Sequence, residues 1–333
     1  MFAAQLTETN QPLVYAELAS PEPGRGEVLI DLKAAALNHR DVYIQKGQYP
    51  GVQMPVIPGS DGAGTIAALG EGVTNLSIGQ EVVVNPSFGW GSDPRVQSQT
   101  YSILGMPRNG TFAQQLVVPA LQVFRKPKHL NFNEAAALPL AGLTAWRALM
   151  TRAALRKSDR VLITGIGGGV AQFAMLFAVG HGNETWVTSS SAHKLEKAMA
   201  AGATGTANYS QEGWADRLQE AAGLFDVIID SAGGEGFGEL TQLVAPGGRI
   251  VFYGGTRGKW PRILPQPLFW KQVSILGSTM GTAEEFGEML KFTEKEQLVP
   301  LVDQIFPLQE AQAALNRMDA GDQMGKIVLR IPE

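Results

Sequence analysis

The chain of 333 residues contains no cysteine, which excludes several kinds of chemistry at once. Disulfide bonds, cysteine nucleophiles and metal sites built on thiolates all need a sulfur that this chain does not have. The remaining strong metal ligands are four histidines, which show no ligand-like spacing: His39, His129, His181 and His193. The sequence therefore predicts no bound metal.

Long apolar runs, a basic N-terminal leader and clusters of basic residues are also missing. No stretch approaches the roughly 18 to 20 apolar residues that cross a bilayer. The first residues, MFAAQLTETNQP, lack the basic and apolar regions of a secretion signal. The formal net charge is -4, whereas binding to nucleic acid needs a clustered basic surface. We expect a cytoplasmic protein with no nucleic-acid and no membrane partner.

The length predicts two domains, and the sequence pattern changes near residue 120. Before that point, short strand-like stretches are separated by glycine- and proline-rich turns, which predicts a small, mostly β unit. The strand-like stretches are 26–37, 62–70 and 80–86, and an aperiodic lobe follows at 85–110. Loops of this length inside compact domains are usually functional or mobile.

After residue 120, apolar strands alternate with helical patterns, which predicts a doubly wound parallel sheet with helices on both faces. The first strand is RVLIT (160–164), and the last is SILGS (274–278). The chain then adds a helical segment and a strand, KIVLRI (326–331), that a complete sheet does not need. We therefore expect an α/β protein in which a parallel-sheet domain, residues 121–283, is inserted in a mostly β domain made of residues 1–120 and 284–333.

A glycine cluster joins the first of these strands to the first helix. The chain reads Gly165-Ile166-Gly167-Gly168-Gly169-Val170, and glycines there let the backbone approach a pyrophosphate at the positive helix N-terminus. A turn that needs glycine only for tight packing would look the same, but the strand–glycine–helix context is the one that dinucleotide binding requires. We expect contacts with a dinucleotide from Gly167, Gly168, Gly169 and Val170.

The end of the second strand indicates which dinucleotide is bound. NAD sites usually place Asp or Glu there to hold the ribose 2′-hydroxyl. This chain reads Thr188-Ser189-Ser190-Ser191-Ala192-His193-Lys194, with no acid. A 2′-phosphate meets no carboxylate there, and Ser189, Ser190 and Lys194 can bond it. The same residues also suit a helix start with a serine N-cap and a solvated lysine. We predict NADPH as the cofactor.

Taken together, the motifs resemble the medium-chain dehydrogenase/reductase superfamily over essentially the whole chain. Three stretches are similar to the signature of its GroES-like domain: Pro58-Gly59-Ser60-Asp61-Gly62-Ala63-Gly64, Gly70-Glu71-Gly72-Val73 and Gly79-Gln80-Glu81-Val82. The stretch 139–145 resembles its interdomain helix. The resemblance implies a GroES-like catalytic domain made from both chain ends and an inserted Rossmann domain that binds the cofactor.

Departures from the superfamily pattern concern zinc. Zinc-dependent alcohol dehydrogenases of this superfamily hold the catalytic metal with Cys, His and Cys, and the matching positions here are Asn38, Ser60 and Leu140. The structural-zinc lobe matches the stretch around 86–108, where its four cysteines are missing. The resemblance therefore implies a zinc-independent member.

The stretch Leu37-Asn38-His39-Arg40-Asp41-Val42-Tyr43, followed by Gly47-Gln48-Tyr49-Pro50, resembles the quinone oxidoreductase branch. In that branch an Asn, an Asp and two Tyr lie beside the nicotinamide, which implies catalytic roles for Asn38, Asp41, Tyr43 and Tyr49. Arg40 is a further candidate donor to the negative charge that grows on a substrate oxygen. The branch also places a Lys and a Tyr on the 2′-phosphate, and these match Lys194 and Tyr209.

Five further residues are candidate cofactor contacts. The hydroxyl of Thr144, at the start of a helix turn, is expected to bond the nicotinamide ribose or its own backbone. Gly254, Gly255 and Thr256 follow the strand GRIVFYG, at the sheet edge where ligands bind in open α/β folds. Lys326 precedes the last strand and either reaches the cofactor or is solvated.

Three functions remain open at this point. The preferred one is NADPH-dependent reduction of a quinone; the others are reduction of enones or enoyl thioesters, and non-catalytic NADPH binding of the kind this superfamily supplies in lens structural proteins. In the first two the partner is a small-molecule electron acceptor, a quinone or an enone. The superfamily often dimerises through a sheet-edge strand, and the apolar segment 273–277 predicts a homodimer.

Overall fold

The computed structural model describes residues 1–260 and 263–332. In chain order its elements are β1 (Phe2–Gln5), β2 (Val14–Glu17), β3 (Glu27–Ala36), α1 (His39–Gln45), β4 (Asp61–Leu69), β5 (Glu81–Val84), β6 (Ser87–Phe88), β7 (Ser102–Ile103), β8 (Gln115–Pro119), β9 (Val123–Arg125), α2 (Phe132–Ala137), α3 (Pro139–Trp146), β10 (Val161–Ile163), α4 (Gly169–His181), β11 (Thr185–Ser189), α5 (Ala192–Ala200), β12 (Gly205–Asn208), α6 (Trp214–Ala222), β13 (Phe225–Asp230), α7 (Phe237–Leu243), β14 (Val244–Phe252), α8 (Pro265–Trp270), β15 (Ser274–Gly277), α9 (Ala283–Lys295), β16 (Val302–Pro307), α10 (Ala311–Ala320) and β17 (Lys326–Arg330).

These elements form two compact units. The first unit is residues 1–143 with 281–333, and the second is residues 144–280. The sequence pattern predicted the first boundary after residue 120, whereas the described units divide after 143. The difference arises because β9 pairs with β5 and because α2 packs against β3 and β4 of the first unit.

The first unit is built on a seven-stranded sheet with the strand order β16-β17-β3-β4-β5-β9, and β8 pairs with the other part of β3. Strand β3 alternates inward and outward side chains, and its Val28, Ile30 and Leu32 lie in the core of this unit. The last strand, β17, pairs antiparallel with β3, so the C-terminal tail belongs to the sheet of the first unit.

The second unit is a six-stranded parallel sheet with the order β12-β11-β10-β13-β14-β15. Leu162, Ile228 and Ile250 share one core cluster with side chains of α6 and α7. Val161 and Ile163 alternate with Leu162 along β10 and so point to the opposite face of the sheet. They are also fully buried, so both faces of the sheet are covered. The expected fold class, a doubly wound Rossmann sheet inserted in a GroES-like mostly β domain, is confirmed.

Within the six-stranded parallel sheet, β12 is the strand that the sequence pattern did not indicate. Its four residues, GTAN, contain one β-branched side chain and lie between a helix and a turn. It forms because β11 offers a complete parallel partner over residues 186–189. Within the described residues, no helix is long and apolar enough to cross a membrane.

Candidate functional site

Helix α1 brings the predicted catalytic residues of the first unit into one segment. Asn38 occupies the N-cap in extended conformation, and its backbone N–H donates to Asp41 Oδ2 at 2.8 Å. This capping bond gives the Asn38 N–H an acceptor at the helix start, where backbone donors otherwise lack partners. It therefore fixes where the helix begins. Asn38 and Asp41 therefore lie together, both buried.

A buried hydrogen-bond network connects Asn38 to the first residues of β4 and β17. The Asp61 carboxylate, which has no exposed surface, accepts from Asn38 Nδ2 at 2.9 Å, from Lys326 Nζ at 2.8 Å and from the Leu140 N–H at 2.8 Å. Lys326 Nζ also donates to Asn38 Oδ1 at 2.6 Å. The amide of Asn38 is therefore held from both sides, with Oδ1 toward the ammonium and Nδ2 toward the carboxylate.

Lys326, at the first residue of β17, is buried rather than solvated. Its side chain is 3% exposed, and its ammonium is bound by Asp61 and Asn38 within the first unit. The alternative that Lys326 is solvated is therefore wrong, and its contact with a cofactor stays a prediction. The contact between Lys326 and Asp61 could not be predicted from local pattern, because the two residues are 265 positions apart in the chain.

A second buried cation, Arg40, lies beside this network. Its Nη1 donates to Ser60 Oγ and to the Leu104 carbonyl, both at 2.7 Å, and its guanidinium lies 4.9 Å from the ring centre of Tyr49. The Ser60 hydroxyl in turn donates to the same Leu104 carbonyl at 2.8 Å. Arg40 thus ties the predicted catalytic segment to the lobe at 85–110.

The donor set around Asn38 does not suit a divalent metal. Asn38 and Ser60 each bond a cationic side chain, and Leu140 offers only its backbone N–H to Asp61. An ammonium and a guanidinium at these positions repel a further cation. Among residues 1–260 and 263–332, no group of three or more His, Asp or Glu side chains is placed to hold a metal ion.

The tyrosines of this region lie in different surroundings. Tyr43 shares one face of α1 with the exposed His39, four residues earlier, and is half-buried. Tyr49 is half-buried against Arg40. The lobe adds Tyr101, which the sequence analysis did not single out; burial raises its pKa well above the usual range, and its ring packs edge-on against Trp90. The aperiodic lobe carried no pattern from which Tyr101 could have been chosen.

The pKa of Asp41 sets a pH dependence that can be measured. Burial raises it from the ordinary value of 3.8 to about 6, although Arg40 and the Asn38 N–H act in the opposite direction. The folded protein therefore holds this proton more tightly than the unfolded chain, so stability is lost as the pH rises from about 4 to about 6. The difference between the two pKa values corresponds to about 3 kcal/mol.

We predict that Asp41→Asn removes this dependence, because its amide oxygen can still accept from the Asn38 N–H. In urea unfolding, the advantage of the variant over wild type should grow by about 2 to 3 kcal/mol between pH 4 and pH 7. Asp319→Asn, at an exposed carboxylate, serves as the control and should show no such trend. A difference that stays constant over this range would contradict the prediction.

In the second unit, the glycine-rich turn follows β10 as expected. Gly165 adopts a φ of +66°, and the Ile166 N–H donates to the Thr188 carbonyl at 3.0 Å, which anchors the turn to β11. Thr164 Oγ1 donates to Asp230 Oδ1 at 2.6 Å, which connects the start of the glycine-rich turn to the end of β13. Helix α4 begins at Gly169 with Gly168 as N-cap, so Gly167, Gly168, Gly169 and Val170 lie at the helix N-terminus. This geometry fits the pyrophosphate of a dinucleotide.

The residues predicted to select the cofactor gather at the carboxyl end of β11. Ser189 Oγ accepts the Ser191 N–H at 3.1 Å, and Ser191 is the N-cap of α5, with its hydroxyl 3.4 Å from the Lys194 N–H. The helix-start interpretation of this segment is therefore correct for Ser191. Ser190 instead is exposed and accepts a hydrogen bond from the Tyr209 hydroxyl at 3.3 Å, so these two predicted residues meet.

The remaining residues that were predicted to contact the cofactor lie in different surroundings. Thr144 lies near the end of α3, not at the start of a helix turn, and its hydroxyl donates to Met280 Sδ at 3.7 Å. Gly254, Gly255 and Thr256 follow β14 at the carboxyl edge of the sheet. A Cβ at Gly254 would lie 2.8 Å from the Ser231 carbonyl oxygen, so close packing of the chain already favours glycine there, and its contact with a cofactor stays a prediction.

Comparison with known proteins relates both units to dehydrogenases. The family model described as an alcohol dehydrogenase GroES-like domain matches residues 24–128, and the one described as a zinc-binding dehydrogenase matches residues 169–295. The zinc-type alcohol dehydrogenase-like protein YogA of Leptosphaeria maculans is 36% identical, over 96% of this chain and 95% of its own length.

Two solved structures extend the comparison. A crystal structure of an NAD-dependent alcohol dehydrogenase superposes with a TM-score of 0.93, at 36% identity and with all of both chains covered. A crotonyl-CoA carboxylase/reductase superposes with a TM-score of 0.89 at 25% identity, covering 99% of this chain and 88% of its own.

Proposed function

The chain belongs to the medium-chain dehydrogenase/reductase superfamily of oxidoreductases, and from that premise we propose that it is a zinc-independent, NADPH-dependent reductase whose electron acceptor is a quinone. The observation that carries the proposal is the pair of cations, Lys326 and Arg40, bonded to Asn38 and Ser60, where zinc-dependent members hold their metal. The donors that remain in the first unit are amide and hydroxyl groups, which suit a carbonyl oxygen.

The preference for NADPH is supported by the surroundings of Ser190. No carboxylate stands in the segment 188–194. Ser190 and Tyr209 directly follow two neighbouring strands, and Lys194 lies in the first turn of α5. The names of several relatives specify NAD, as in the superposed NAD-dependent alcohol dehydrogenase. The local chemistry nevertheless favours NADPH in this chain, because cofactor choice depends on the few groups that meet the 2′ position.

The chemistry can be divided between cofactor and protein. Reduced nicotinamide, when bound, supplies a hydride to an electrophilic carbon of the acceptor. The protein must then stabilise the negative charge on the acceptor oxygen. We assign that task to the Asn38 amide and the Tyr49 hydroxyl, with Tyr43 as a further donor. Asp41 orients the N-cap through its bond to the Asn38 N–H.

A second candidate is reduction of an activated double bond. The structural similarity to a crotonyl-CoA carboxylase/reductase favours it, and the same donors would meet the enolate oxygen of an enone or enoyl thioester.

We also propose a homodimer, with β15 at the interface. This strand is an edge of the parallel sheet, and the adjacent α8 exposes 83% of Trp270 and 64% of Phe269. Sedimentation velocity at micromolar concentration tests the dimer.

Steady-state oxidation of NADPH tests the proposed function. We expect turnover with 9,10-phenanthrenequinone, a kcat/KM at least tenfold lower with NADH, and no loss of activity after dialysis against a chelator. Higher kcat/KM with enones or enoyl thioesters would favour the second candidate. Tight NADPH binding without turnover on any acceptor would instead indicate a binding protein. Loss of activity on chelation, restored by zinc, would overturn the proposal.

A further inference from the structure

Arg257, which the sequence analysis did not select, is anchored beside the cofactor-selecting residues. It lies in the segment after β14, and its backbone N–H donates to the Ala232 carbonyl at 2.9 Å. The Gly234 N–H donates back to the Gly258 carbonyl at 3.3 Å. These two bonds fold the segment over the carboxyl end of β13. Gly234 has a φ of +63°, and a Cβ there would lie 2.7 Å from Arg257 Cβ, so the two segments pack closely.

The side chain of Arg257 reaches the residue that follows β12. Its Nη2 donates to the Tyr209 hydroxyl at 3.0 Å, and its guanidinium lies 4.8 Å from the centre of the Tyr209 ring. The Tyr209 hydroxyl in turn donates to Ser190 Oγ at 3.3 Å. Three side chains from three separate connections therefore form one chain of contacts at the carboxyl edge of the sheet, and Lys194 lies on the first turn of the helix after Ser190.

We propose that Arg257 is a second cationic ligand of the cofactor's 2′-phosphate, and that it determines specificity together with Lys194, Tyr209 and Ser190. A phosphate monoester carries between one and two negative charges at neutral pH, so a single lysine leaves part of that charge unmatched. A guanidinium also offers a planar set of donors that fits two phosphate oxygens at once.

The contacts of Arg257 leave it able to bind such a ligand. The bond to Tyr209 uses one of its five N–H groups, and the side chain is exposed. Within residues 1–260 and 263–332, it forms no ion pair with a carboxylate, so a phosphate would not have to displace one. The Tyr209 ring restricts the guanidinium before the ligand arrives, which lowers the entropy lost on binding.

This inference rests on the proposed NADPH preference, so the test must separate the two. We would titrate the full chain calorimetrically with 2′,5′-ADP and with 5′-AMP, which differ only in the 2′-phosphate. Wild type should bind 2′,5′-ADP more tightly. Arg257→Gln should weaken 2′,5′-ADP about tenfold, the lower end of the range for a charge-assisted hydrogen bond, and leave 5′-AMP unchanged. Lys194→Gln should have the same pattern.

Arg156→Gln is the matched control. Arg156 is an exposed arginine that precedes β10, at the amino end of the sheet, and its loss should change neither affinity. Equal affinity of wild type for both ligands would defeat the NADPH preference itself. A wild type that prefers 2′,5′-ADP, with an Arg257→Gln variant that keeps this preference, would defeat only the role of Arg257. Equal weakening of both ligands by Arg257→Gln would place its contact on the adenosine and overturn the inference as well.

Discussion

Asp61→Ala should lower the free energy of unfolding by about 3 to 5 kcal/mol, the cost of removing one partner of a buried ion pair. Within residues 1–260 and 263–332, the variant leaves the buried Lys326 ammonium with Asn38 Oδ1 as its remaining acceptor. It also removes the acceptor of the Leu140 N–H and of Asn38 Nδ2. Urea unfolding at pH 7 measures the loss directly.

A double-mutant cycle distinguishes the ion pair from simple loss of packing. Asp61→Asn combined with Lys326→Met removes both charges. The double variant should therefore lose less unfolding free energy than the sum of the losses in the two single variants. Asp319→Ala is the matched control, since Asp319 pairs with Lys46 at 2.5 Å on the surface and should contribute less than about 1 kcal/mol. If Asp61→Ala lost no more than this control, the network would not have the structural role assigned to it.

Fold and domain arrangement followed from local pattern. The strands β3, β10, β11, β13 and β17 are runs of apolar or alternating residues bounded by turns, and each was predicted within one or two residues. The tail was assigned to the first unit because it had no place in the parallel sheet, and its β17 does pair with β3. Strand β12 was missed because four residues with one β-branched side chain carry no pattern; their pairing with β11 determines it.

Side-chain partners could be predicted only where they are close in sequence. The bond between the Asn38 N–H and Asp41, three residues apart, belongs to a local capping pattern. Asp61 was identified only as part of the stretch 58–64 that resembles the GroES-like signature, and its contact with Lys326 depends on how β17 pairs with β3. Arg257 meets Tyr209 across 48 residues, through a segment that folds back over β13. Contacts of this kind are set by topology, which composition and spacing do not contain.

Tyr49→Phe should reduce kcat for quinone reduction by roughly 10²- to 10³-fold, the usual effect of losing one donor to a developing oxyanion. Within residues 1–260 and 263–332, the Tyr49 hydroxyl has no hydrogen-bond partner, so its removal strands no buried group. Phenylalanine keeps the ring that lies against Arg40, and a cation is attracted to its face as to that of tyrosine. The free energy of unfolding should therefore stay within about 0.5 kcal/mol of wild type.

The combination of a large rate loss and unchanged stability is what separates a donor from a structural residue. Tyr15→Phe is the control, because Tyr15 stacks on Phe2 with ring centres 5.2 Å apart and belongs to neither cluster of candidate site residues. It should change neither kcat nor KM. If Tyr49→Phe kept full kcat while quinone turnover in wild type was robust, the charge on the acceptor oxygen would have to be met by Asn38 and Tyr43 without Tyr49. The Asn38 amide is held in place by Asp61 and Lys326. The same assay on an Asn38→Ala variant would then show whether this amide is the donor that remains.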